Sequence, residues 1–465
     1  MTLAQTQETV AETGGAGRRH QRAALAAAML GFAVVTLDAQ IVNVALPSIH
    51  DDFGGGLSSL QWIVSGYTLM FSSLLLFGGT IADRIGSRNA YRNGMLLFVA
   101  ASVACALAPS LTLLIIARLV QGTGAALVTP TALSLIREAY DDAKARAKAI
   151  AYWGVGGSIA AAAGPILGGI LTQVDWRLIF LINVPIGLAA LAILRAVAHS
   201  RQRATPIDWA GQLTAILSLG ALTAAFIEGG SIGFTTLPIL AALAIAVAAF
   251  AAFLRVESRR THAMVPLELF RSRPIAISLT IAFITMLGFY GTVFLQSLYF
   301  QEQRGYSALA TGVLFLPMTG MVAVASFVVA QVGHRFNRAA MIITGQLGMA
   351  TGLIALAAAP HNVPVWTVSG LMILVGVGGA ITVPPIAALI LDAAPAALAG
   401  TASGVLNTFR QMGGSLGVAI FGATVNSATF ATGLRISYIG TAVLLAVTVI
   451  ISRRLANSRA SRGAR

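Results

Sequence analysis

Long apolar stretches alternate with short polar, glycine- or proline-containing segments along almost the whole chain. Each stretch approaches or exceeds the ~20 residues that a helix needs to cross the hydrocarbon core of a bilayer. The pattern predicts an all-α polytopic membrane protein with fourteen transmembrane helices. The predicted spans are residues 23–49, 58–82, 90–109, 111–136, 147–172, 177–196, 209–229, 234–255, 273–300, 308–333, 338–359, 363–391, 401–427 and 433–452.

The composition agrees with insertion into a membrane. Hydrophobic residues make up 57% of the 465 residues and charged residues only 10%, whereas soluble domains carry roughly 25% charged residues. This balance excludes a water-soluble protein. The single cysteine, Cys105, excludes an intrachain disulfide and a multi-cysteine zinc site, and no metal site is predicted.

The net charge of +14 reports membrane orientation rather than nucleic-acid binding. If the N-terminus is cytoplasmic, most of the 30 Lys and Arg residues fall on the cytoplasmic side, and the outer segments hold only Arg177, Arg304 and Arg435. Basic residues concentrate in cytoplasmic loops. We therefore predict an even number of spans and both termini in the cytoplasm.

Internal repeats indicate two related halves. The sequence GGS at residues 156–158 recurs at 413–415, and two further glycine-containing motifs recur in the same order at nearly the same separation. This is typical of two six-helix repeats. The predicted regions are a cytoplasmic tail (1–22), an N-terminal six-helix bundle (23–196), a linker with two inserted transmembrane helices (197–272), a C-terminal six-helix bundle (273–452) and a basic cytoplasmic tail (453–465).

One acidic residue, Asp38, lies well inside the first predicted span, and Arg118 lies inside the fourth. An ionisable residue within the bilayer is by default a candidate for function. At about 1.5 Å of rise per residue, the two lie at similar depths and could meet. Such a pair either exchanges a proton as its exposure alternates or serves as a static ion pair between two helices. We expect proton coupling.

A short loop between the second and third spans holds Gly79, Asp83, Arg84, Gly86 and Arg88. Glycine permits a tight turn, and an aspartate can cap a helix or bind a basic partner that stabilises one packing of the halves. The loop is either a conformational latch or only a charged turn that fixes topology.

The fifth span contains Gly164, Pro165, Gly168 and Gly169. Small residues let membrane helices approach closely, and proline kinks a helix. We expect a structural role together with a role in gating.

Polar residues on one face of a membrane helix point into a bundle or cavity. Asn407, Arg410 and Gln411 share such a face in the thirteenth span, where they contact either substrate or neighbouring helices. The predicted substrate cavity comprises Asn43, Trp62, Tyr67, Gln121, Tyr290, Phe294, Gln296, Asn407, Arg410 and Gln411.

Several of these segments resemble one known family. LDAQIVNVALP at residues 37–47 resembles the first-helix signature of the fourteen-span drug:proton antiporters of the major facilitator superfamily. GTIADRIGSR at 79–88 is similar to the superfamily's motif A, RLVQGTGAA at 118–126 to motif B, and GPILGG at 164–169 to the antiporter motif C. The segment 407–417 adds further similarity, and the resemblance extends over the chain after residue 25.

The resemblance implies a major facilitator fold and proton-driven export of lipophilic drugs or antibiotics by alternating access. It implies that Asp38 is the coupling acid, Arg118 its proton-transfer partner, the residues of 79–88 a conformational latch and the Gly164-Pro165 helix a seal. It also implies a location in the bacterial inner membrane and transport driven by the proton gradient without cofactors, with a small lipophilic substrate, protons and membrane lipids as partners. We expect a monomer, and pairing with a periplasmic adaptor stays open.

Other functions remain open at this point. A facilitator-type importer or symporter for a metabolite would share the fold and the charge pattern, and a transport-inactive membrane sensor is a second alternative. The chain contains no GxxxxGK[ST] phosphate loop, HExxH helix or GxSxG elbow, so neither an ATP motor nor an enzyme is expected.

Overall fold

The computed structural model describes residues 3–200, 202, 206–260, 263–360, 362–395 and 398–460, and these contain helices but no strands. Fourteen helices follow one another, with the sixth in two pieces, which confirms the predicted count. They are α1 (Leu3–Phe53), α2 (Leu57–Ile85), α3 (Ser87–Ala106), α4 (Leu111–Ala139), α5 (Ala143–Thr172), α6 (Leu178–Leu181 and Asn183–Leu194), α7 (Trp209–Ile232), α8 (Leu237–Arg259), α9 (Arg273–Leu298), α10 (Ala308–Val332), α11 (Arg338–Ala358), α12 (Val365–Ala393), α13 (Ala399–Asn426) and α14 (Phe430–Ala460).

Within these ranges, 11 helices are long and apolar enough to cross a membrane on their own. The other three are α3, α6 and α13. Arg88 and Arg92 lower the hydropathy of α3, and the polar face around Asn407 and Arg410 lowers that of α13. Because both are held between apolar neighbours, they need not be apolar on every side.

The sixth predicted span is not one continuous helix. It breaks at Ile182, between Leu178–Leu181 and Asn183–Leu194. Pro185 has no amide hydrogen to donate to the Leu181 carbonyl, so the helical hydrogen-bond ladder is interrupted there. The break places Asn183 at the start of a new segment.

Helices extend into both predicted tails. α1 begins at Leu3, and its candidate membrane span lies within Arg19–Phe53. A helix can continue from the bilayer into water as long as its backbone hydrogen bonds are made. Residues 461–465 of the predicted basic tail lie outside the described residues, as do Arg201 and Arg203, two of the basic residues that the charge pattern places on the cytoplasmic side.

The two halves repeat one packing scheme. In the N-terminal half α1 packs on α5, α2 on α4 and α3 on α4; in the C-terminal half α9 packs on α13, α10 on α12 and α11 on α12. The α3–α4 crossing brings Gly94 against Gly124, and the equivalent α11–α12 crossing brings Gly345 against Gly378. These glycines belong to the motifs that recur in the sequence, so the repeat has a structural basis in close helix crossings.

The two halves meet through a pair of equivalent contacts, α5 with α10 and α2 with α13. The inserted helices α7 and α8 pack against each other, and α7 lies against both α2 and α13. Gln212 of α7 donates a hydrogen bond to the Ser73 carbonyl at 2.9 Å, and Gly230 lies directly on Ala423. The inserted pair therefore flanks one of the two interfaces between the halves.

Candidate functional site

Asp38 and Arg118 form an ion pair inside the N-terminal half. Nη1 of Arg118 lies 2.5 Å from Oδ2 of Asp38, and both side chains are fully buried. Nε of Arg118 also donates to the Ile63 carbonyl at 3.0 Å. The predicted meeting of α1 and α4 at this depth is therefore present in the structure.

Neutral polar side chains complete the coordination of the Asp38 carboxylate. Its Oδ1 accepts hydrogen bonds from Nε2 of Gln121 at 2.9 Å and from Nδ2 of Asn183 at 2.8 Å. The same two amides also donate to the hydroxyl of Ser102, at 2.6 and 3.2 Å. Together with Arg118, these two amides give the Asp38 carboxylate three hydrogen-bond donors.

Aromatic rings enclose the guanidinium of Arg118. Its central carbon lies 4.3 Å from the centroid of the Tyr67 ring and 5.7 Å from that of Phe180. The Tyr67 hydroxyl donates to the Val35 carbonyl at 3.1 Å, which holds the ring in place. Nη2 of Arg118 has no acceptor among the described residues. The guanidinium is thus fixed on one side and retains a free donor on the other.

The residues predicted to line one substrate cavity fall into separate groups. Gln121 and Tyr67 belong to the ion-pair cluster. Phe294 is fully buried in the apolar core, and Gln296 of α9 donates to the Tyr438 hydroxyl of α14 at 2.9 Å.

The remaining predicted cavity residues form two further groups. Asn43 and Trp62 lie near the end of α1 and the start of α2. Trp62 donates to the Glu228 carboxylate of α7 at 2.8 Å. Tyr290, Asn407, Arg410 and Gln411, by contrast, lie together between α9 and α13 and are all partly exposed.

The predicted latch residues are held in different ways. Gly86 has a backbone φ of +86°, a conformation that favours glycine, and it lies against Ser200. Arg88 donates to the Leu194 carbonyl at 3.3 Å and contacts His199, so it ties α3 to the end of α6. Asp83 and Arg84 are exposed and form no ion pair among the described residues. Gly79 has open space around it.

The glycines of α5 allow two close helix crossings. A methyl group on Gly164 would lie 2.7 Å from Cβ of Gln40, and one on Gly168 would lie 2.7 Å from the Ile41 carbonyl oxygen, both on α1. On the opposite side, a methyl group on Gly169 would lie 2.7 Å from the Ala308 carbonyl oxygen of α10. α5 therefore links the helix that carries Asp38 to the C-terminal half.

Among the described residues, the hydrogen bonds between the two halves lie toward one end of the bundle. The connections at residues 54–56 and 173–177 are at the same end. We call this the closed end. Gln61 donates to the Ala419 carbonyl at 2.8 Å. Ser297 donates to the Asn43 carbonyl at 2.6 Å, and Gln301 donates to that of Val44 at 3.0 Å.

Sequence reasoning did not assign Asn183, Ser102 or Gln121 to the ion pair. The signal for Asn183 is an amide two residues ahead of Pro185, which interrupts an otherwise apolar span. Ser102 and Gln121 carry no comparable signal, because neutral polar residues at these positions could equally bond to their own helix.

Comparison with known proteins agrees with this architecture. The model of the Major Facilitator Superfamily matches residues 28–418. The chain is 35% identical to a methylenomycin A resistance protein of Streptomyces coelicolor, over 94% of this chain and 95% of the relative. It is 36% identical to the multidrug resistance protein Stp of Mycobacterium tuberculosis, over 88% of this chain and 76% of the relative.

Among solved structures, the crystal structure of a D-xylose-proton symporter superposes with a TM-score of 0.68. The match covers 93% of this chain and 97% of the symporter at 16% identity, so it supports the fold alone. Together with the family match, it confirms the resemblance seen in the sequence. The chain belongs to the major facilitator superfamily of multi-pass membrane transporters.

Proposed function

We propose that the protein exports lipophilic drugs or antibiotics across the bacterial inner membrane in exchange for protons. Relatives that are more than a third identical to this chain in sequence are named as antibiotic or multidrug resistance proteins. The observation that carries the proton coupling is the fully buried Asp38–Arg118 pair, because ionisable residues inside a membrane bundle are costly to bury and typically mark ion or proton pathways.

The physical basis of exchange is a difference in affinity between two conformations. A ligand shifts a conformational equilibrium only as far as its affinities for the two states differ. In this structure Arg118, Gln121 and Asn183 all donate hydrogen bonds to the Asp38 carboxylate. Protonation would remove the charge that holds these donors, so a proton on Asp38 and the bound substrate would favour opposite states.

With the closed end at the predicted outer face, the proposed exporter would be closed toward the outside in this structure. In the opposite state the halves would separate at the close contact of α5 with α10 and approach each other near Asp83 and Arg84. Asp83 and Arg84 are exposed here. This agrees with a latch whose contacts form only in the outward-facing state.

The proposed exporter acts as a monomer with both termini in the cytoplasm. It uses the proton gradient and needs no cofactor, and it catalyses no covalent chemistry. Its ligands are the substrate, protons and surrounding lipid.

The test uses inside-out vesicles with an imposed pH gradient and a panel of lipophilic dyes and antibiotics. Asp38→Asn removes the coupling acid, and Asp51→Asn is the matched control, an exposed acid on the same helix. We expect substrate to dissipate the pH gradient in vesicles that contain wild type or Asp51→Asn. In vesicles that contain Asp38→Asn, the gradient should not change when substrate is added.

Equal proton release in all three proteins would remove Asp38 from this role. Uptake that is independent of the gradient in all three would favour a facilitator instead of an antiporter.

A further inference from the structure

Arg410 lies in the middle of α13, a helix that packs on α2 and α9. Along this helix Gly404 contacts Leu76 of α2, and Gly413 lies against the backbone of Phe283 in α9. Arg410 is partly exposed although it is far from either end of its helix. A guanidinium that faced lipid would be very unfavourable, so this exposed part faces space inside the bundle.

The hydrogen bonds of Arg410 are incomplete. Its Nη1 donates to Oδ1 of Asn407 at 3.1 Å. Its Nε is buried and has no acceptor among the described residues. A guanidinium offers five N–H donors in a rigid plane, and its Nε side can bind both oxygens of one carboxylate. Asn407 therefore orients the group, and Nε is left without an acceptor among the described residues.

The charge of Arg410 is not neutralised either. Arg118, the other arginine in the interior of the bundle, is paired with Asp38, but no carboxylate pairs with Arg410 in the described part of the chain. The titratable neighbour that acts on it is Tyr290, a phenol. Glu228, another acid within the predicted spans, is occupied by Trp62 at the closed end.

A buried charge without a counter-ion carries a large desolvation penalty. A purely structural arginine would be expected to have a carboxylate or several carbonyl acceptors around it, as Arg118 has. Arg410 has one amide acceptor and a partly open surface instead. The arrangement is that of a binding group whose partner is supplied from outside the protein.

We propose that Arg410, oriented by Asn407 and flanked by Gln411, binds a carboxylate on the transported compound. This assignment rests on the proposed export function and specifies its substrates as amphipathic compounds with an anionic group. The aromatic ring of Tyr290, beside Gly414 on the same side of α13, provides an apolar surface for the rest of the molecule.

The test measures equilibrium binding, which does not depend on proton coupling. Wild-type protein in lipid nanodiscs is titrated with rhodamine B, which carries a free carboxylate, and with its ethyl ester, which does not. Binding is followed by fluorescence anisotropy, and the signal of empty nanodiscs is subtracted. The variants are Arg410→Gln, Arg410→Lys and, as a matched control, Arg435→Gln at an exposed position.

We expect wild type and Arg435→Gln to prefer the acid over the ester by about tenfold or more, as a charge-assisted hydrogen bond to a carboxylate predicts. Arg410→Gln should bind both dyes equally, and Arg410→Lys should keep part of the preference. Ester binding that is unchanged in Arg410→Gln would show that this variant is folded.

The assignment is overturned if wild type does not bind the acid, if it binds the ester as tightly, or if Arg410→Gln keeps the full preference. A different result would refute the proposed export function. Binding of the acid that depends on Arg410, without substrate-evoked proton release in vesicles, would refute antiport and leave the anion site standing.

Discussion

The crossing of α5 and α10 makes a quantitative prediction about the closed end. A methyl group on Gly312 would lie 2.4 Å from the Pro165 carbonyl oxygen, whereas ordinary contacts begin at 3.4 Å. In Gly312→Ala the two helices must separate by about 1 Å or distort. Overpacking of this kind costs roughly 1–3 kcal/mol, and this cost applies only to the state in which the crossing is closed. The equilibrium should therefore shift about 5- to 150-fold toward the open state.

Thiol accessibility measures this shift. The buried Cys105 is first replaced by Ser, and Ser297→Cys then places a reporter thiol at the contact of α9 with Asn43. The reporter is labelled in intact cells with a membrane-impermeant maleimide. Gly320→Ala is the matched control on α10, since a methyl group there meets no atom within 4 Å.

We expect faster labelling in Gly312→Ala than in the reporter background and no change in Gly320→Ala. Both substitutions raise the helix propensity of α10 equally in the two states, so propensity cannot account for a difference. Equal labelling of the two alanine variants would refute the conclusion that this glycine contact holds the end closed.

Three further predictions concern stability, measured as the thermal unfolding midpoint in detergent. Arg118→Ala should reduce the free energy of unfolding by about 3–5 kcal/mol, and so lower the midpoint strongly, because the buried Asp38 carboxylate loses its counter-ion. An unchanged midpoint would mean that the pair contributes nothing to folding. Trp62→Phe should cost about 0.5–1.5 kcal/mol through loss of its hydrogen bond to α7, while Trp366→Phe, at an exposed position, should be neutral. Gly86→Ala should reduce the free energy of unfolding by about 1–3 kcal/mol, because alanine is strained at the positive φ of this position. Gly79→Ala should have no such effect, and equal effects would contradict the role given to the φ of Gly86.

The sequence was sufficient for the fold because the bilayer imposes a strong constraint. Every span must be a helix of nearly fixed length, so apolar stretches can be counted directly. The α3 and α13 helices could be counted despite their polar residues because positive-inside topology requires them. The break in α6 was missed, although Pro185 marks it, since proline is common in membrane helices without dividing them.

The ion pair was predictable for a related reason: charged residues inside apolar spans are few, and Asp38 and Arg118 lie at matching depth. Aromatic and amide residues were not predictable in the same way. Phe294 and Tyr290 look alike along the sequence, yet one is fully buried in the core and the other borders the polar face of α13. Which side of a helix faces a cavity depends on how the helices are rotated, and no pattern within one span determines that rotation.

In the proposed exporter, α1 is the element through which protonation can reach the closed end. Asp38 lies one to two turns from Asn43 and Val44, about 7.5–9 Å along the helix axis. The carbonyls of Asn43 and Val44 accept hydrogen bonds from Ser297 of α9 and from Gln301 just beyond α9, across the interface between the halves.

The glycines of α5 also touch this stretch of α1, at Gln40 and Ile41, and the same α5 glycine segment contacts α10. A small rotation or shift of α1 on loss of the Asp38 charge would therefore act on the contacts to α9 and to α5 together. Close-packed interfaces of this kind switch between discrete arrangements more readily than they deform, so one proton on one carboxylate can bias an opening across the whole molecule.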